Sequence, residues 1–174
     1  MDTYIERADE EIRRTDHLMY VSLKYTRTVD VLETILNRLI KAFGFAGLAL
    51  FEYLIEKKII ESMPDNVVAR VLMLRDKFPN PEFDSLINFY LMLRKIVKEE
   101  PVKSNEFRRG VRMSVIVDKI VIEIDIDTIE EFYKKTENFI RIAKKIMETE
   151  CEITPAVLGD IIKGVRIDID FERG

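Results

Sequence analysis

VRMSVIVDKIVIEIDI, residues 111–126, interrupts a chain whose earlier part reads as helices. Val and Ile crowd positions 111–117 and 119–126. The second run alternates Ile120, Ile122, Ile124 and Ile126 against Val121, Glu123, Asp125 and Asp127, the period of two expected of a strand with one covered face. Asp118 and Lys119 between the runs predict a hairpin, although the Asn-Gly or Asp-Gly pair that such turns favour is missing. Downstream, Thr128 and Glu131 have the spacing of a capping box, in which a hydroxyl and a carboxylate each accept a bond from an unpaired N–H at a helix start. The amphipathic helix they open carries Ile129, Phe132, Tyr133, Phe139, Ile140, Ala143, Ile146 and Met147 on one face. Thr154-Pro155 opens a short helix ending near Gly164. Val165, Ile167, Ile169 and Phe171 then alternate with Arg166, Asp168, Asp170 and Glu172, predicting a third strand that completes a small antiparallel sheet.

Upstream, Thr3 and Glu6 form another capping box, and from Ile5 to Lys58 there is no Pro and no Gly except Gly44 and Gly47. A break near Arg14 to Asp16, or near Thr26 to Thr28, divides that run into long helices. Asp65 or Asn66 caps a short helix bearing Val67, Val68, Val71, Leu72 and Leu74. Asn80-Pro81-Glu82 then launches another to about Glu99, stopped by Pro101. The expected fold is mainly helical α+β. Residues 1–100 form a bundle of long helices, and residues 101–174 supply a hairpin, a helix and a C-terminal strand packed on it as one domain.

Composition narrows the function. The 174 residues carry 28 Lys plus Arg against 32 Asp plus Glu, a net charge of −4, with 47% hydrophobic residues, which excludes a disordered chain. One Cys and one His exclude an internal disulfide and a zinc site of the usual nitrogen and sulfur ligands. The absence of Trp and Gln, with abundant Ile, Glu, Lys and Arg, points to a heat-adapted cytoplasmic protein. Met1-Asp2-Thr3-Tyr4, with no basic stretch leading into an apolar run, is not expected to begin a signal peptide. The most apolar stretch, Phe43 to Leu54, contains Glu52 and is shorter than the roughly 20 residues of a membrane span, so it is expected to be a buried helix.

Arg14 to Asp30 is the most unusual segment. On one continuous helix, Asp16, Tyr20, Lys24, Arg27 and Asp30 share roughly a third of the circumference, while Leu18, Val21, Tyr25, Val29 and Leu32 cover the opposite side. A helix apolar on most sides is buried, so this polar row is expected to be sequestered from water. Asp16, His17, Tyr20, Lys24, Arg27 and Asp30 then either bind a phosphate or carboxylate ligand or supply a buried ion pair, Arg27 with Asp16 or Asp30.

Two other sets stand out. Glu123 and Asp125 on one strand, with Asp168 and Asp170 on another, bring four carboxylates together for Mg²⁺ or Mn²⁺ if those strands pair; otherwise they form a solvated face. Lys103, Arg108, Arg109 and Arg112, with Lys95, Lys98 and a stacking Phe107, form a basic cluster suited to nucleic acid, although Glu99, Glu100 and Glu106 are interleaved. Phosphate-binding loops, GxSxG and HExxH are absent, and Cys151 lies between Glu150 and Glu152, which disfavour a thiolate. No catalytic residue and no cofactor are expected.

Asp16 to Asp30, DHLMYVSLKYTRTVD, followed by long apolar helices, resembles a group of uncharacterised archaeal helical proteins over about the first hundred residues. More remotely it is similar to HEPN proteins, whose active members are RNases with an Arg, a spacer of four to six residues and a His. Here Arg13 and His17 have three residues between them and no second His exists, so the likeness implies a binding or antitoxin-like role. The first expectation is a non-enzymatic homodimer with a long hydrophobic helix buried between subunits. The alternatives are a nucleotide or RNA binder using Lys24, Arg27 and the Arg108-Arg109 loop, and a divalent-metal phosphoryl enzyme on the acidic strands.

Overall fold

The computed structural model describes residues 2–173, with side chains in the last helix described through Arg166. Helix α1, Tyr4–His17, begins with the expected capping box: the Thr3 N–H donates to Glu6 Oε2 at 2.8 Å and the Glu6 N–H donates to Thr3 Oγ1 at 3.3 Å. The bond from the Thr3 N–H is the largest of the causes that hold the Glu6 carboxyl below its ordinary pKa.

The inward positions of this first segment are Ala8, Glu11, Thr15, Met19 and Leu23. Steps of four residues on an α-helix drift by about 40° each, so the last of them would turn away from the core. A π-helical turn, Leu18–Ser22, absorbs the drift with its wider spiral and returns Met19 and Leu23 to the interior. A final turn, α2 (Leu23–Tyr25), leads to a break at Thr26–Thr28, the second of the two predicted positions; α1 runs unbroken through the first.

Thr28 caps α3, Val29–Glu56, which is buried on most sides. That helix is covered by α1, α4 (Val67–Lys77), α5 (Pro81–Ile96) and α6 (Ile126–Glu148). No helix among the described residues is long and apolar enough to cross a membrane. α3 ends in a Schellman arrangement: the Ile59 N–H donates to the Leu54 carbonyl at 2.9 Å and the Lys58 N–H to Ile55 at 3.0 Å, with Lys58 at φ 61° where glycine is usual. Asn66 caps α4, and Asn80 caps α5 with Pro81 as its first residue, as expected. Where α3, α5 and α6 meet, Phe43 lies between Phe139 (centroids 3.8 Å apart, planes at 3°) and Tyr90 (4.6 Å, 11°).

The hairpin is present. β2 (Arg112–Val117) pairs antiparallel with β3 (Ile120–Ile124) in a register that sets Val117 opposite Ile120. Asp118 and Lys119 turn the chain with φ of 50° and 68°, the left-handed pair of a type I′ turn. The third strand is not the predicted one. It is β1, Val102–Ser104, on the other edge of β2, with Val102 opposite Ser114. Residues 165–171 continue a helix, α7 (Pro155–Arg173), because Leu158, Ile162 and Val165 are buried at helical spacing and carry that phase into the alternating segment. The start of α6 also lies earlier than predicted. Asp125, leaving β3, accepts from both the N–H and the hydroxyl of Thr128 at 2.9 Å, so Thr128 is the residue capped rather than the cap.

Candidate nucleic-acid interface

Two interruptions of regular structure meet on one face. The 105–111 loop between β1 and β2 folds onto the Thr26–Thr28 break, where the Phe107 N–H donates to the Arg27 carbonyl at 2.6 Å. Glu106 Oε2 accepts from the Val29 N–H at 3.3 Å, so this carboxylate is turned toward the positive end of α3. The loop holds two non-glycine residues in the left-handed region, Asn105 at φ 53° and Phe107 at φ 65°. Asparagine enters that region readily, whereas phenylalanine pays about 1–2 kcal/mol for it. The geometry leaves Phe107 76% exposed, and across the break Tyr25 is 80% exposed.

The cations here are largely uncommitted. Lys24, Arg108 and Arg109 are exposed and Arg27 is half-buried, and the side chains of these four make no hydrogen bond or ion pair among the described residues. Lys103 and Arg112 are committed. Lys103 Nζ lies 3.3 Å from Asp30, which raises the lysine's pKa, and Arg112 Nη1 lies 3.2 Å from Glu123.

A second basic region adjoins along α3. Thr34, one turn beyond Asp30 and bonded to its carbonyl at 2.9 Å, joins Arg13, Arg14, His17 and Arg38 in lining a cleft of about 510 Å³ between α1 and α3. Beneath it Glu11 is buried and accepts from Arg38 at 3.0 and 3.3 Å and from Arg14 at 3.4 Å; Arg14 also meets Glu10 at 2.7 Å. Arg13 and His17 make no side-chain bond among the described residues. From Asp30 to Arg38 this band runs about 12 Å along the helix.

These positions correct the expected polar row. Asp16, His17, Tyr20, Lys24 and Asp30 face outward rather than into a greasy interior, and neither Asp16 nor Asp30 pairs with Arg27. Asp16 accepts from the Tyr133 hydroxyl at 3.3 Å and Asp30 pairs with Lys103. The continuous-helix projection fails because the π turn and the break re-aim the segment. Sequence reasoning missed the buried Glu11 with Arg38, and also Tyr25. Glu11 was signalled by its place between Ala8 and Thr15 on the inward side of α1.

The strand pairing expected to gather four carboxylates is absent among the described residues. Its second strand is a helix, and the side chains of Asp168 and Asp170 lie outside the described residues. Glu123 meets Arg112, and Asp125 is used as a cap, its pKa lowered first by the Thr128 N–H. No group of three or more potential metal ligands gathers among the described residues. Comparison with protein-family models, curated proteins and solved structures finds no match for the chain.

Proposed function

We propose that this protein binds single-stranded RNA without cleaving it, on the face where the 105–111 loop meets the Thr26–Thr28 break. The observation that carries this reading is the Phe107 to Arg27 backbone bond, which sets two exposed aromatic rings among four unpaired cations. Single strands are held by this combination of stacking surfaces for bases and positive charge for the backbone. The total charge of −4 does not oppose it, because phosphates respond to the local cluster. A binding role is what the HEPN likeness implies, and a cytoplasmic, heat-adapted setting accords with the composition.

Anisotropy of a labelled oligouridine tests the reading. Four neutralised phosphates predict a log–log salt slope of about −3, so affinity falls about fifty-fold between 50 and 200 mM salt. With Arg108→Ala and Arg109→Ala together the slope should shrink to about half that. A slope indifferent to both substitutions, or no binding at low salt, overturns the assignment.

One observation favours self-association as a second reading. The outer sheet face presents Val102 (70% exposed), Ile116 (63%) and Val121 (62%), the last two directly opposite each other. A second copy covering this patch gives a mass of twice 20.5 kDa by light scattering, reduced to the monomer value by Ile116→Lys. A monomer mass for the unaltered chain at every concentration excludes it.

A further inference from the structure

Away from the basic face, α3 and α4 line an apolar pocket of about 270 Å³ that is open to solvent on one side, where Lys41 is exposed, and α5 contributes Tyr90 to its wall. Two glycines make it possible. A Cβ at Gly44 would stand 3.4 Å from the Tyr90 hydroxyl, and one at Gly47 3.5 Å from Leu74 Cδ1, so any longer side chain at either position enters the space. The walls are mainly aliphatic and aromatic, including Ile40, Leu48, Phe51 and Val71, and no acidic residue lines them.

The polar groups are few and of one kind. Tyr90 is only 4% exposed, its ring is fixed against Phe43, and its hydroxyl has no hydrogen-bond partner among the described residues. At the pocket wall this hydroxyl is free to donate to a ligand's acceptor. Lys41 lies one turn before Gly44 on α3 and makes no ion pair among the described residues. Arg70 on α4 spends its Nε on the Pro64 carbonyl at 2.6 Å, and its terminal nitrogens are unbonded. An apolar interior with one unpaired hydroxyl and two cations matches an anion with a hydrocarbon body. The space equals that of roughly nine waters, which sets the ligand at about ten non-hydrogen atoms.

We propose that this pocket binds a medium-chain monocarboxylate, with its carboxylate received by Lys41 and the Tyr90 hydroxyl and its chain running past Gly47 toward Leu74. The site is separate from the nucleic-acid face and does not depend on that reading.

Calorimetric titration of the full chain with octanoate, and with octan-1-ol as the uncharged comparison, tests it. Octanoate should bind at least tenfold more tightly than octanol, and Tyr90→Phe, which keeps the ring stack, should weaken octanoate about tenfold, the effect of losing one hydrogen bond to a charged group. Gly44→Leu should abolish binding, and a single cooperative melting transition checks that the variant is still folded although its side chain crowds Tyr90. Absence of octanoate binding at millimolar concentration overturns the proposal. So does equal affinity for octanol, or an affinity unmoved by both Tyr90→Phe and Gly44→Leu.

Discussion

Phe139→Ala is expected to destabilise the protein by about 3–5 kcal/mol and to lower its melting temperature by about 10–15 °C. Phe139 is wholly buried, lies face to face with Phe43 at 3.8 Å, and meets Phe83 at 5.6 Å with planes tilted by 53°. It thereby ties α6 to both α3 and α5. Alanine removes the ring's hydrophobic contribution and leaves a void that three packed helices cannot close by a local shift. Phe139→Leu, which fills most of the volume, should cost clearly less, because it forfeits mainly shape and the aromatic contact of about 0.5–1.5 kcal/mol. Urea unfolding with an unchanged m-value is the measurement. A loss under about 1 kcal/mol for the alanine variant would contradict the three-helix aromatic junction described here.

Legibility in the sequence followed the length scale of the signal. Most caps written in neighbouring residues are readable: Thr3 with Glu6, Asn66 of the two residues offered at 65–66, and Asn80 with Pro81 act where the sequence places them, whereas at α6 the cap is Asp125 and not Thr128. The hairpin is readable too, and its Asp118-Lys119 turn adopts the left-handed pair without the glycine that would make it easy. The failures were of two kinds. Residues 165–171 fit a period of two over seven positions, yet Leu158 and Ile162 upstream had already fixed a helical face that Val165 extends, so the window was too short to choose between periods. The polar row from Asp16 to Asp30 was projected on an ideal spiral, whereas Leu18–Ser22 winds as a π turn and Thr26–Thr28 breaks the helix. No single-residue marker announces either event. The candidate interface was half legible for the same reason. Lys24, Arg27, Arg108 and Arg109 were visible as cations and Phe107 as a ring, but their meeting depends on one backbone bond between residues 27 and 107.

That bond makes Phe107 the position where stability and binding part company. Phe107→Gly should weaken oligouridine binding about 5- to 150-fold, the effect of removing one stacking partner worth about 1–3 kcal/mol, while leaving the melting temperature unchanged or slightly higher. Phe107 is 76% exposed, so it adds little to the core, and its backbone sits at φ 65°, a conformation that costs phenylalanine about 1–2 kcal/mol and glycine almost nothing. Against that relief stands the extra freedom glycine gives the unfolded chain, roughly 0.4–1 kcal/mol, so the two nearly cancel. Phe107→Ala separates the causes. It removes the ring but keeps the left-handed penalty, and should bind as weakly as the glycine variant while melting slightly lower. If the glycine variant bound RNA like the unaltered chain, the strained ring would be an accident of loop closure. If it instead unfolded readily, Phe107 would be a structural residue after all. A strained aromatic, displayed outward and pinned from behind by its own amide, is otherwise a cost without a return.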